Sequence, residues 1–208
     1  QPDEGSIELD GVNVSGMPEY KRARYLGRVY QDPMMGTSAG MEIEENLALA
    51  VRRGKRHTLR LGIRRSERED YRRRLKELGL GLEDRLTTKV GTLSGGQRQA
   101  LTLLMATLQR PKLLLLDEHT AALDPQTAAR VMDLTDRLVQ ENHLTTLMIT
   151  HNMRDAIRYG NRLLMLHNGR IVLDISGEEK ARLTVADLMD MFRKVSGREY
   201  DNDRTLLA

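Results

Sequence analysis

The chain has 208 residues, no Cys, only 3% aromatic residues and a formal net charge of +3 at pH 7. The lack of Cys excludes disulfides and thiolate-bound metals and favours a reducing compartment. No apolar run approaches the roughly 18 residues of a membrane span, and no signal-peptide pattern is present. We therefore expect a soluble, cytoplasmic protein whose overall charge does not favour nucleic acid.

The first 92 residues predict a small β-containing segment followed by helices. Alternating apolar residues around Asp10-Gly11 predict a hairpin, "PEYKRARYLG" predicts a short helix, and "RVYQD" predicts a strand that ends at Gln31. From residue 41 to residue 92 the pattern is helical, with Gly79 ending a charged helix, and no strand interrupts it. We expect an inserted helical subdomain there, after a β-rich remnant at 1–40.

Residues 93–195 predict strands that alternate with helices. "ALTLLMATLQ" predicts a buried helix that begins at Ser94, with Gln97 at the capping-box spacing. "KLLLLD" and "TTLMIT" predict two buried strands, and the long helix between them has Asp124 as its N-cap. A short helix, a hairpin turning at Asn168-Gly169 and an amphipathic helix follow, and 196–208 is predicted to be a loose tail.

Polar residues follow both predicted buried strands. Alternating strands and helices indicate a mostly parallel sheet, whose ligands gather at the carboxyl ends of the strands. Asp117 and Glu118 lie at such an end, where adjacent carboxylates are costly unless they meet a cation or hydrogen-bond donors. Mg²⁺ with a nucleotide phosphate would meet that cost, while capping or solvent exposure is the alternative. His151 follows the second strand, where it can bind a γ-phosphate or be purely structural.

Two glycines, Gly95 and Gly96, stand at the mouth of the predicted buried helix. Glycine bares backbone N–H groups at a positive helix end, where an anion can approach closely. The alternative is a plain helix start, with the glycines merely tolerated.

These segments resemble the ATPase domains of ABC transporters. "LSGGQ" (93–97) resembles the family's signature motif, and "LLLLDE" (113–118) the Walker B strand with its glutamate. "AALD" (121–124), "TH" (150–151) and "YQD" (30–32) resemble the D-loop, H-loop and Q-loop. The resemblance covers about residues 7–195 and is closest to ATP subunits of bacterial small-solute importers, including those for aromatic amino acids. It implies a P-loop NTPase-like α/β fold with a mostly parallel sheet and an inserted α-helical subdomain.

The resemblance also implies roles for individual residues, with ATP and Mg²⁺ as ligands. Glu118 would be the general base or water-orienting group, and His151 would contact the γ-phosphate. Gln31 would touch Mg²⁺ and the attacking water, and Asp117 would hold Mg²⁺. The residues expected to bind nucleotide, those of the signature motif across a head-to-tail dimer, are Ser94, Gly95, Gly96, Gln97 and, in the D-loop, Asp124.

One family motif is missing. No G-x-x-x-x-G-K-[ST] occurs, and Gly54-Lys55 is followed by Arg56 and His57. Without the Walker A loop the β- and γ-phosphates lose their backbone nest and Lys, so we expect this chain alone to be inactive. A chain truncated after the N-terminal strands and P-loop, or a naturally degenerate subunit, would explain the absence.

Partners follow from the same resemblance. We expect a homodimer or a paired ATPase subunit, integral-membrane permease subunits, a place at the cytoplasmic face of the membrane, and no nucleic acid. The stretch from Arg52 to Lys76 holds twelve Lys or Arg residues; it is a solvated face, or it contacts permease loops or anionic headgroups. A soluble ABC ATPase of the repair or translation type, or an inactive interaction module, remains the alternative function.

Overall fold

The computed structural model describes residues 2–55 and 62–196, with side chains as far as residue 194. Internal contacts divide the chain into two compact units, residues 1–148 and residues 149–208, and each unit is described by itself. The predicted tail lies outside the described residues except for its first backbone position. The four-part division drawn from the sequence stays a prediction.

The first unit begins with a hairpin and ends in a helix–strand pair. Its elements are β1 (Glu8–Leu9), β2 (Val12–Asn13), α1 (Glu19–Arg22), β3 (Leu26–Val29), α2 (Ile43–Arg52), α3 (Arg65–Glu77), α4 (Gly95–Thr107), β4 (Leu113–Asp117), α5 (Pro125–Asn142) and β5 (Thr146–Ile149), whose last residue crosses the boundary. Asp10 and Gly11 turn the predicted hairpin with φ values of 48° and 75°, as a two-residue loop requires.

The predicted end of the third strand was wrong by two residues. β3 ends at Val29, and Gln31 lies in a bend beyond it. The reason is local: the Asp32 side chain accepts a hydrogen bond from the Met34 backbone N–H at 2.8 Å and caps a single 3₁₀ turn, Pro33–Gly36. Side chains that bond the nearby backbone compete in this way with strand pairing.

A three-stranded sheet with the order β3-β4-β5 runs through the described residues. β3 and β4 are parallel, with register partners from Leu26↔Leu113 to Val29↔Leu116. β5 was predicted to be buried, and that prediction was wrong: Leu147 and Ile149 are 50% and 53% exposed. The strand lies at the edge of this sheet, and successive side chains point to opposite faces, so alternate residues of β5 remain uncovered.

Helix α4 forms the centre of the first unit's core. Its N-cap Ser94 and Gln97 complete the predicted capping box, with N···O distances of 3.3 Å and 3.2 Å. Every residue from Gln99 to Leu104 is buried, as the apolar sequence predicts. Glu44 of α2, 3% exposed, accepts two hydrogen bonds of 2.7 Å from the Arg68 guanidinium of α3, which ties the two helices together.

The second unit packs helices against a hairpin. Its elements are α6 (Met153–Arg158), β6 (Arg162–His167), β7 (Arg170–Ser176), α7 (Gly177–Arg182) and α8 (Val185–Ser196). Asn168 and Gly169 turn the predicted hairpin with φ values of 50° and 74°. Helix α7 was not predicted from the sequence; its buried Lys180 donates to the Ile157 and Tyr159 carbonyls at 2.5 Å and 3.0 Å. No helix in the described part of the chain has the length and apolar composition needed to cross a bilayer.

Candidate functional site

The parallel pairing of β3 and β4 brings three predicted site residues to one edge of the sheet. Val29 and Leu116 are register partners at the carboxyl ends of the two strands. Gln31 lies two residues beyond Val29 and is exposed; Glu118 lies two residues beyond Leu116 and is partly buried. Asp117 is the last residue of β4. This is the edge at which ligands of parallel sheets bind.

Asp117 meets a cation that the sequence did not reveal. The Arg28 guanidinium of β3 lies 3.3 Å from the Asp117 carboxylate, and it also stacks 4.5 Å from the Tyr30 ring centroid. Both partners of the ion pair are about half exposed, so the pair adds little stability, at most about 1 kcal/mol. Arg28 and Asp117 are neighbours only because of the register between β3 and β4, and no sequence pattern predicts that register. The Arg28 guanidinium therefore offsets part of the free-energy cost of placing the Asp117 and Glu118 carboxylates next to each other.

Glu118 has a strained backbone. Its φ of 44° lies in the left-handed region, which non-glycine residues adopt rarely. The Glu118 carbonyl accepts a hydrogen bond from the Ala121 N–H at 2.9 Å, which closes the turn after β4. Strain of this kind persists where the surrounding structure imposes it, and it concentrates at functional sites. Positive φ values are also found at Asp10, Arg110, His143 and Asn168. The backbone of Glu118 therefore marks a tight turn at the sheet edge, and its functional interest rests on its carboxylate and its position.

His119, the next residue, is 2% exposed and neutral at physiological pH. Burial lowers its pKa from 6.5 to about 4. Its Nε2 lies 3.0 Å from the Thr135 hydroxyl oxygen, and that hydroxyl donates to the Val131 carbonyl at 2.7 Å. The Thr135 hydroxyl proton is used in the bond to Val131, so this hydroxyl can only accept a hydrogen bond from His119. The proton of that bond is therefore on His119 Nε2. This pair anchors the turn after β4 to α5.

The two glycines at the start of α4 have different surroundings. Gly95 is exposed, whereas Gly96 is buried. A Cβ at Gly96 would lie 2.2 Å from the Thr127 Cγ2, so a larger residue collides with the first turn of α5. Close packing inside one chain is thus a reason for Gly96 that the sequence analysis did not consider.

The polar side chains around this helix start are held by the chain itself. Besides its part in the capping box, Gln97 donates from Nε2 to the Leu80 carbonyl at 3.3 Å. Asp124 is the N-cap of α5, as predicted, and accepts from the Thr127 N–H at 3.1 Å. The hydrogen bond from the Thr127 hydroxyl lowers the pKa of Asp124, and the backbone bond adds to this effect. Each of these side chains has a structural role that a nucleotide is not needed to explain.

Gln99 links α4 to the segment that carries Gln31. It is completely buried, and its Nε2 donates to the Tyr30 carbonyl at 3.1 Å. Its Oε1 is buried without a hydrogen-bond partner among the described residues. The sequence analysis missed this residue, although a lone Gln among the apolar residues of a buried helix was a usable signal.

His151 belongs to the second unit. It follows Thr150, whose hydroxyl accepts from the Asn152 N–H at 3.0 Å. Asn152 in turn caps α6 by accepting from the Arg154 and Asp155 N–H groups. His151 is thereby held in the short connection between β5 and α6, with an exposed side chain.

The sheet-edge residues suit a magnesium ion that arrives with a nucleotide. No group of three or more His, Cys, Asp or Glu side chains in residues 2–55 and 62–196 could hold a metal by itself. Mg²⁺ bound to phosphates keeps several waters and needs only one or two protein carboxylates; Asp117 could supply one and leave the Glu118 carboxylate free to orient water. The 208 residues contain no Walker A sequence. They therefore supply carboxylates for such a site but not the loop that binds the phosphates.

A family profile and individual related proteins indicate the same family for this chain. The sequence profile of the ABC transporter family matches residues 1–121. A tyrosine transport ATP-binding protein of Clostridioides difficile (strain R20291) is 47% identical over 188 residues, which are 90% of this chain and 74% of the relative. A phosphonates import ATP-binding protein of Ruegeria sp. (strain TM1040) is 31% identical over 203 residues, 96% of this chain and 77% of the relative.

A solved structure supports the fold. The ATP-binding cassette MJ0796, described as a dimer in a post-hydrolysis state bound to ADP and Pi, superposes with a TM-score of 0.69 at 25% identity. The match covers 85% of this chain and 75% of that one. The predicted P-loop NTPase-like α/β fold is therefore confirmed. From the matched profile, the 47% identical relative and the shared fold, the chain belongs to the ABC transporter family of ATP-binding proteins.

Proposed function

We propose that this chain is the ATP-binding and hydrolysing subunit of an ABC importer for a small solute. The observation that carries the proposal is the meeting of Gln31, Asp117 and the strained Glu118 at one sheet edge. The relatives above are transport and import ATP-binding proteins, which supports the transport role.

Each residue of the edge has a distinct task in this proposal. Asp117 would hold Mg²⁺ through water, with Arg28 beside it to limit carboxylate repulsion. Glu118 orients and deprotonates the attacking water, and the imposed turn holds its carboxylate in place. Gln31 positions the same water, and Gln99 fixes the backbone that precedes it. Bound Mg²⁺ would neutralise charge on the phosphate oxygens. His151 is proposed, from the family resemblance, to contact the γ-phosphate.

The start of α4 is the proposed contact with nucleotide held by a second subunit. Ser94 and Gly95 are exposed at this positive helix end, where backbone N–H groups favour anions. Gly96 and Gln97 contribute mainly by shaping this helix start, and Asp124 by capping α5, since each is engaged within the chain. The dimer would close on ATP and open after hydrolysis, moving a permease at the cytoplasmic face of the membrane.

For the solute we propose an aromatic amino acid. The support is the name of the 47% identical relative, a tyrosine transport ATP-binding protein. Uptake of tyrosine by the chain's membrane partner would test this part separately from the ATPase chemistry.

The ATPase role is tested with a P-loop fusion, in which a G-x-x-x-x-G-K-[ST] segment is joined upstream of the chain. In this fusion Glu118→Gln should lower kcat at least about 100-fold, the usual scale for losing a catalytic base, while the Kd for ATP stays unchanged. Glu141→Gln, at an exposed position near the end of α5, is the matched control and should retain the wild-type kcat. Equal kcat values for Glu118→Gln and its control would refute the role of Glu118.

A non-catalytic interaction module is the second candidate, favoured by the missing Walker A sequence. Isothermal titration calorimetry with Mg-ATP, on the 208-residue chain and on the P-loop fusion, distinguishes the ATPase from the interaction module by their ATP binding. We expect no binding at micromolar ATP without the P-loop segment and binding with it. A fusion that still fails to bind ATP would favour the interaction module.

A further inference from the structure

Helix α3 has one apolar face and one basic face. Tyr71 and Leu75 are buried at 1% and 0% exposure and pack into the core. About 100° around the helix from them, Arg65, Arg72 and Lys76 are exposed at positions i, i+7 and i+11, which fall on one stripe of an α-helix. The stripe runs for about 16 Å at 1.5 Å per residue. We call these three residues the basic stripe of α3.

Little of this charge is neutralised locally. From Arg64 to Glu77, the last residue of α3, the sequence has seven Lys or Arg and four Asp or Glu residues, an excess of three positive charges. Arg65 has one highly exposed partner, Glu69, at 3.5 Å. In residues 2–55 and 62–196 no ion pair is formed by Arg72 or Lys76. The stripe therefore presents an uncompensated positive field to the solvent.

The surface lacks what a protein or nucleic-acid partner normally requires. Protein interfaces are anchored by Trp, Tyr and Arg side chains that become buried in well-packed pockets, and the exposed side chains of α3 include no aromatic or apolar residue beside the arginines. Single-stranded nucleic acids are bound through aromatic stacking, but Tyr71, the aromatic residue of α3, is buried. A basic surface without apolar anchors suits a diffuse layer of negative charge, and anionic lipid headgroups form such a layer.

We propose that the basic stripe of α3 is an electrostatic docking surface for membranes that contain anionic lipids. The surface holds the protein at the bilayer independently of any permease. It acts through charge alone, so its strength depends on the fraction of anionic lipid and on ionic strength.

The test is co-sedimentation of the chain with vesicles of phosphatidylcholine, or of equal parts phosphatidylcholine and phosphatidylglycerol. We expect binding to the anionic vesicles, little binding to the zwitterionic ones, and a loss of binding as salt rises. Arg72→Glu with Lys76→Glu should lower partitioning at least about tenfold. Both side chains are exposed, so the circular dichroism spectrum and Tm should stay at wild-type values.

A control with the same change in net charge isolates the stripe. Lys21→Glu with Arg130→Glu alters two exposed basic residues of the same unit, on α1 and α5, and should bind anionic vesicles within about twofold of wild type, because neither residue belongs to the basic stripe. Equal losses in the two double variants would overturn the proposal, as would equal binding to both kinds of vesicle. Tighter binding to duplex DNA than to anionic vesicles would assign the stripe to nucleic acid instead.

Discussion

Acidification should destabilise the protein through His119. Its pKa is about 4 in the folded chain against 6.5 as the reference value, so the unfolded state binds the proton first as the pH falls. Stability is therefore highest above pH 6.5 and is lost as the pH falls toward 4. The loss from this one residue is about 2 kcal/mol at pH 5 and about 3 kcal/mol at pH 4.

Urea denaturation of the chain and of His119→Gln, at pH 7.5 and pH 5, measures this effect. Glutamine can still donate to the Thr135 hydroxyl but does not titrate, so its stability should fall by about 2 kcal/mol less over the same interval. The comparison removes the contribution of every other titrating group. Equal losses for both proteins would refute the assignment of this pH dependence to a buried neutral His119.

Two further substitutions probe the backbone of the site. Gly96→Ala should destabilise the chain by about 1–3 kcal/mol because the new Cβ meets Thr127 Cγ2. In urea denaturation, adding Thr127→Ser should recover most of that loss. A Gly96→Ala variant as stable as the wild type would contradict the packing. Glu118→Gly should be more stable than Glu118→Ala by about 1 kcal/mol because of the positive φ, and a less stable Gly variant would show that the turn is not strained.

Local patterns predicted most of the fold correctly. The hairpin turns at Asp10-Gly11 and Asn168-Gly169 depend on residues that tolerate positive φ, and the α4 capping box depends on a fixed spacing. These signals lie within a few residues of one another, so the sequence alone reveals them. The uncovered face of β5 is different, because burial depends on what else packs against the strand.

The site was predictable in its residue types but not in its contacts. The placement of Gln31 and Glu118 at one edge follows from parallel strands, which the alternating pattern indicated. The Arg28–Asp117 pair, the Gln99–Tyr30 bond and the Gly96–Thr127 approach join residues that are distant in sequence. Each depends on register or on helix packing, and neither can be read from residue order.

We propose that these residues form an ATPase that works by closing a dimer on ATP. Sedimentation velocity of the Glu118→Gln P-loop fusion, with Mg-ATP and with Mg-ADP, measures this closure. We expect a dimer with ATP, which persists because hydrolysis is blocked, and a monomer with ADP. A fusion that binds ATP yet sediments as a monomer with both nucleotides would contradict it.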